Sequence, residues 1–88
     1  MRWKKYKDEG EVREVIAERL PPGSTPEDVQ SFAAAEGLEC SGLVDGVIRC
    51  SAPAPRLSLL VSAQWLIELQ FDGDRLSEVR VERGLTGP

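Results

Sequence analysis

The spacing of apolar residues changes character once along this chain. Up to Gly37 they recur every three or four positions, and from Leu38 onward they alternate. The first regime predicts helices and the second predicts strands. In residues 9–20, EGEVREVIAERL, Val12, Val15, Ile16, Arg19 and Leu20 share one face, so the apolar stripe is narrow. Asp8 and Glu9 suit the positive end of a helix dipole there, and Gly10 weakens the first turn. Leu20-Pro21-Pro22-Gly23 stops this helix, because proline denies the α region to the residue before it.

The following helix carries fuller signals. Thr25 suits the N-cap and Pro26 the first helical position, where a missing N–H costs nothing. Asp28 can answer Thr25 in a capping box. Val29, Phe32 and Ala33 form the buried stripe, and Gly37 ends the helix in a left-handed conformation with Leu38 folding back.

In residues 38–52, LECSGLVDGVIRCSA, a three-residue loop Val44-Asp45-Gly46 makes Leu43 face Val47 and Cys40 face Cys50. Leu38, Cys40, Ile48, Cys50 and Ala52 then share the apolar face, while Glu39, Ser41, Arg49 and Ser51 take the other. A two-residue loop would instead set the cysteines on opposite faces. The pair is read in two ways. A disulfide across a non-hydrogen-bonded position would contribute about 2–3 kcal/mol; the alternative is two buried thiols acting as small hydrophobes.

Ala52-Pro53-Ala54-Pro55 reads as a stiff connector. A long strand follows from about Leu57 to Phe71, with Leu59, Val61, Ala63, Trp65, Ile67, Leu69 and Phe71 on one face. Asp72-Gly73-Asp74 turns the chain into a last strand over residues 75–83, with Val79 and Val81 inward. The prediction is an α+β two-layer sandwich: two N-terminal helices packed on one face of a four-stranded antiparallel sheet, spanning residues 9–84. Residues 85–88 read as a loose end.

Composition alters this picture at the N-terminus. The 88 residues carry a net charge of −4, yet residues 1–7, MRWKKYK, hold Arg2, Lys4, Lys5 and Lys7. The remainder is strongly acidic, with seven arginines against all fifteen acids, which argues against nucleic-acid binding. Residues 1–8 fit either a basic disordered tail or the remnant flank of a membrane anchor or signal, where Trp3 and Tyr6 would sit at the headgroups. A membrane is otherwise not a predicted partner, because no run approaches 18 apolar residues.

Candidate chemistry is sparse. There is no histidine, so histidine-based nucleophilic catalysis is excluded within one chain, and two cysteines are half a zinc site. Ten-residue spacing is not the redox Cys-x-x-Cys. Asp72-Gly73-Asp74 lacks the spaced ligands of a calcium loop. No catalytic residue, metal site or cofactor is predicted. The candidate site is a protein-contact surface on the open face of the sheet: Leu60, Gln64, Leu66, Glu68 and Arg80, extended near the first turn by Leu43 and Val47.

Leu20-Pro21-Pro22-Gly23-Ser24-Thr25 followed by Val29 resembles the L-x-x-G-x-[ST]-x-x-x-V helix entry of small SmpA/OmlA (BamE-type) outer-membrane lipoproteins. β-Lactamase-inhibitor-protein-like domains share that layout. Phe71-Asp72-Gly73-Asp74-Arg75-Leu76, with Val79 after it, is similar to their last hairpin. The resemblance covers roughly residues 10–83. It implies a helix pair on an antiparallel sheet, export to the bacterial envelope or periplasm, and protein–protein binding without catalysis. The chain departs from that family in having its only cysteines in the hairpin. The expected function is therefore a non-catalytic interaction module using the open sheet face or an edge strand. A cytoplasmic regulatory or accessory domain with free thiols is the alternative.

Overall fold

Both predicted helices form. In the computed structural model, which describes residues 3–56 and 58–86, α1 spans Glu9–Arg19 and α2 spans Pro26–Glu36. Asp8 caps α1 by accepting from the Glu11 N–H, satisfying one of the amides that lack partners at a helix start. Thr25 and Asp28 form the reciprocal capping box of α2. Gly37, at φ 73°, closes α2 in the left-handed region, and Leu38 donates back to the Ala33 carbonyl. The buried stripes are Val12, Ile16 and Leu20 on one side and Val29, Phe32 and Ala33 on the other.

Four antiparallel strands follow in simple sequential order: β1 (Glu39–Cys40), β2 (Val47–Ala54), β3 (Ser62–Asp72) and β4 (Arg75–Thr86). Alternation sends Ile48, Cys50 and Ala52 of β2, and Trp65, Ile67 and Leu69 of β3, into the core beneath the helices. The helices pack on this face, α1 principally against β4, so the α+β layering predicted from the change of period is the architecture observed.

The first hairpin reaches its predicted cysteine pairing by an unpredicted route. Asp45 (φ 52°) and Gly46 (φ 76°) are both left-handed, making a two-residue turn closed by reciprocal Val44–Val47 hydrogen bonds of 3.0 Å. The predicted three-residue loop with Leu43 facing Val47 is thus corrected. Residues 41–43 contain one residue more than the partner strand spans, which shifts the register back. Cys40 consequently faces Cys50 at a Cα separation of 4.0 Å, and the two form a disulfide. The neighbouring Ser41 N–H donates to the Arg49 carbonyl, and the Arg49 N–H donates to Ser41 Oγ. The cysteines therefore occupy the intervening non-hydrogen-bonded position, where side chains approach closest.

Strand limits also move. The predicted connector 52–55 belongs largely to β2, which pairs with β3 through Ala54. Pro53 is tolerated because alternation from Arg49, whose amide points toward β1, aims the proline nitrogen at the edge that β1 is too short to cover. The strand predicted from Leu57 is not formed over residues 58–61. Leu57 lies outside the described residues, Leu59 is 90% exposed, and Ser58 Oγ accepts from the amides of Leu60 and Val61. That local side-chain cap replaces ladder bonds. At the far end, β4 continues to Thr86 opposite Ser62 instead of fraying at residue 85. Gly87 and Pro88 lie outside the described residues.

The largest difference is at the N-terminus. Residues 3–8 are no tail: Trp3–Lys5 is a single 3₁₀ turn and Trp3 is 1% exposed. Its indole N–H donates to the Glu36 carbonyl at 2.8 Å, satisfying an acceptor at the end of α2. The Trp65 indole N–H donates to the Trp3 carbonyl at 2.9 Å. Arg83 donates to the Lys7 carbonyl and stacks 4.8 Å from the Trp65 ring centroid. Trp3 packs edge-on to Phe32 and tilted against Tyr6. The lysines disguise a hydrophobic plug, since Lys4, Lys5 and Lys7 are all exposed. Met1 and Arg2 lie outside the described residues.

Candidate functional site

The helices cover one face of the sheet and leave the other open. Strand register fixes which residues share that open face. The rows read Val47–Gln70–Glu78, Arg49–Glu68–Arg80, Ser51–Leu66–Glu82 and Pro53–Gln64–Gly84 across β2, β3 and β4. Of the residues predicted for a contact surface, Gln64, Leu66, Glu68 and Arg80 are brought together here, and Val47 ends the same face. Leu66 is 40% exposed near the middle. It lies over Gly84, where an added Cβ would come 2.8 Å from Leu66 Cδ1. The missing side chain of Gly84 gives the leucine its place.

Charges surround this leucine. Arg49 Nε stands 3.6 Å from Glu68 Oε2, and Arg80 Nε donates to Glu78 Oε2 at 2.6 Å. Gln70 donates to Glu68 Oε1 at 3.0 Å. The Arg80 hydrogen bond, and then its charge, hold the Glu78 carboxyl below its ordinary pKa. The same contact raises Arg80. Both groups are exposed, so each remains charged near neutrality while solvent and salt screen the pair. A shallow depression lined by Arg49, Leu66, Glu68, Arg80 and Glu82 results.

Two predicted members fall elsewhere. Leu43, 44% exposed, lies outside the strands in the irregular stretch before the first turn; Val44, not Leu43, pairs with Val47. Leu60, 70% exposed, sits in the bend preceding β3, at the opposite end of the sheet from Val47. Both were misplaced for one reason: an ideal alternation was extended past the point where pairing stops. Arg49 and Glu82 were not predicted as site residues. The signal was present in their parity, since each alternates with inward residues, Ile48 and Cys50 for Arg49 and Val81 for Glu82.

Among the described residues, no group of three or more acidic or cysteine side chains is arranged to hold a metal ion. No helix among them is long and apolar enough to cross a membrane. No protein-family model, curated protein or solved structure matches this chain.

Proposed function

We propose that this domain is a non-catalytic protein-interaction module whose contact surface is the open face of the sheet. The observation that carries the reading is Leu66, a half-exposed leucine on an uncovered sheet and ringed by Arg49, Glu68, Arg80 and Glu82. An apolar centre inside a charged rim is the layout of protein contact sites, in which the centre supplies affinity and the rim supplies orientation. The partner is a protein presenting a small apolar group flanked by charges of both signs.

The Cys40–Cys50 disulfide supports an oxidising working compartment. The resemblance to small envelope lipoproteins makes the bacterial periplasm or envelope the preferred one. Free thiols, as the cytoplasmic alternative requires, would lose the bridge that ties β1 to β2.

A photocrosslinking residue placed at Leu66 in the natural cell tests the face, with Glu14 on the exposed side of α1 as the control. A discrete protein adduct from position 66 that is absent from position 14 is the expected outcome. Equal adducts from both positions, or none from position 66, would refute the reading. Acid quenching followed by thiol alkylation tests the compartment: thiols that react only after reduction are expected.

A further inference from the structure

The free edge of β4 carries a second, separate message. β4 is the last strand of the sheet, so among the described residues one side of its main chain has no strand beside it. Hydrogen-bond direction alternates along a strand. Arg49 points its amide toward β1, so Ile48, Cys50 and Ala52 bond to β3 through their partners Leu69, Ile67 and Trp65. The even residues of β3 therefore bond to β4 through Glu78, Arg80, Glu82 and Gly84. Val79, Val81, Arg83 and Leu85 aim their N–H and C=O groups at the free edge.

That edge has a definite beginning. A register shift next to Gln70 and Phe71 leaves Ser77 as an extra residue on β4. Before it, Leu76 already exchanges main-chain bonds with the loop ahead of α2, donating to the Ser24 carbonyl and accepting from the Gly23 N–H. The loop occupies the edge at Leu76, and the free stretch runs from Ser77 to Thr86. Beside it, Gly10 and Arg13 of α1 border a crevice with Val79 and Val81, leaving space along the strand.

We propose that a second copy of this chain occupies that edge, β4 against β4, antiparallel, with Val81 on the two-fold axis. A symmetric antiparallel pair must match outward-pointing residues with outward-pointing residues. Centring on Val79 would set the partner's Glu82 against Leu76, whose edge the loop already fills, and run the partner's residues 83–86 beyond it. Centring on Val81 brings only Thr86, the last strand residue, to that point, and centring on Arg83 sets arginine against arginine. Centring on Arg80 is barred by hydrogen-bond direction; an axis between residues 79 and 81 of the two copies would also set Arg80 against Arg80 and Glu78 against Glu82. Centring on Glu82 sets glutamate against glutamate. Centring on Val81 sets Arg80 opposite the partner's Glu82, twice by symmetry, and Val79 opposite the partner's Arg83. It also places the axis near the middle of the free stretch. Edge charges of this kind ordinarily block promiscuous pairing, and here they admit one register. The dimer joins two sheets into one and leaves both open faces available. It deepens the interaction-module reading by making the module two-sided.

Sedimentation velocity of the oxidised full chain, from low micromolar to millimolar concentration, tests it. The wild type is expected to associate to twice its 9.7 kDa mass. Arg80→Glu and Glu82→Arg, each alone, are expected to weaken association by at least about tenfold. An equimolar mixture of these two variants, or the double exchange R80E/E82R, is expected to restore it. Val81→Pro removes an outward amide without touching the intrachain ladder and is expected to be monomeric. Leu66→Asp, which damages the open face, is expected to dimerise normally, so the two readings fail independently. A monomeric wild type, single charge variants that associate as strongly as it does, or a mixture that stays monomeric would overturn the proposal.

Discussion

Residues 3–7 and residues 58–61 form an instructive pair. The first segment is rich in lysine and reads as a tail, yet it holds Trp3, one of the most deeply buried side chains in the protein. The second is apolar and reads as the start of a core strand with Leu59 inward, yet Leu59 faces water as Leu60 does. Hydrophobicity distinguishes them in the wrong direction. What separates them is available surface: Trp3 finds the Trp65 indole, the Phe32 ring and the end of α2 within reach. Residues 58–61 lie outside the paired strands, and Leu85, at the same end of the sheet, is itself 56% exposed. A side chain is buried when the fold provides a partner for it, and apolarity alone does not create one.

The sharpest way to break this comparison is Trp3→Ala. Removing a fully buried aromatic with its hydrogen bond is expected to cost about 3–5 kcal/mol, read as a shift of the urea midpoint at unchanged slope. A loss below about 1 kcal/mol would return residues 3–7 to the status of a tail. Next in size is the paired substitution Cys40→Ala/Cys50→Ala, expected to cost about 2–3 kcal/mol through the freed unfolded chain. An identical melting temperature with and without reductant in the parent chain would contradict that. Arg83→Ala, which releases the Lys7 carbonyl and uncovers Trp65, is expected to cost about 1–2 kcal/mol. It should also raise trypsin cleavage at Lys7 relative to cleavage at the exposed Arg56. Smallest, Leu59→Ser and Leu60→Ser are each expected to change stability by less than about 0.5 kcal/mol. A larger loss from either would show that the bend packs against something and would erase the contrast.

The two hairpins teach a related point about register. Asp45-Gly46 and Gly73-Asp74 are both two-residue turns built on a left-handed first residue or pair, and both were legible as turns. Neither turn sets the pairing that matters beyond it. An extra residue in 41–43 restores the cysteine register, and Ser77 shifts β4 so that Leu76 turns into the core while Glu78 and Arg80 stay outside. Bulges leave little trace in an alternation pattern, because one inserted polar residue looks like any other polar position.

Along the open face, the legible part was the parity of Gln64, Leu66, Glu68 and Arg80, each flanked by inward apolar residues. Leu43 and Leu60 were assigned to it only by extending that parity beyond the paired region. Arg49 and Glu82 carry the same parity, but a charged residue on a polar face gives no reason by itself to be singled out. Only the register brings them beside Leu66.

The linear chain by itself determined the helices, the caps of α2, the places where the chain turns and the inward set Ile48, Cys50, Trp65, Ile67 and Leu69. Each of these is decided by dihedral preference, by side-chain to main-chain bonds a few residues apart, or by strict alternation. The tertiary structure alone decided that Trp3 is core, that Leu59 is not, where β2 and β4 end, and which charges meet across the sheet. Those outcomes depend on which surfaces lie opposite one another after folding, and residues 3 and 65, or 49 and 68, are too far apart in sequence for any local rule to connect them.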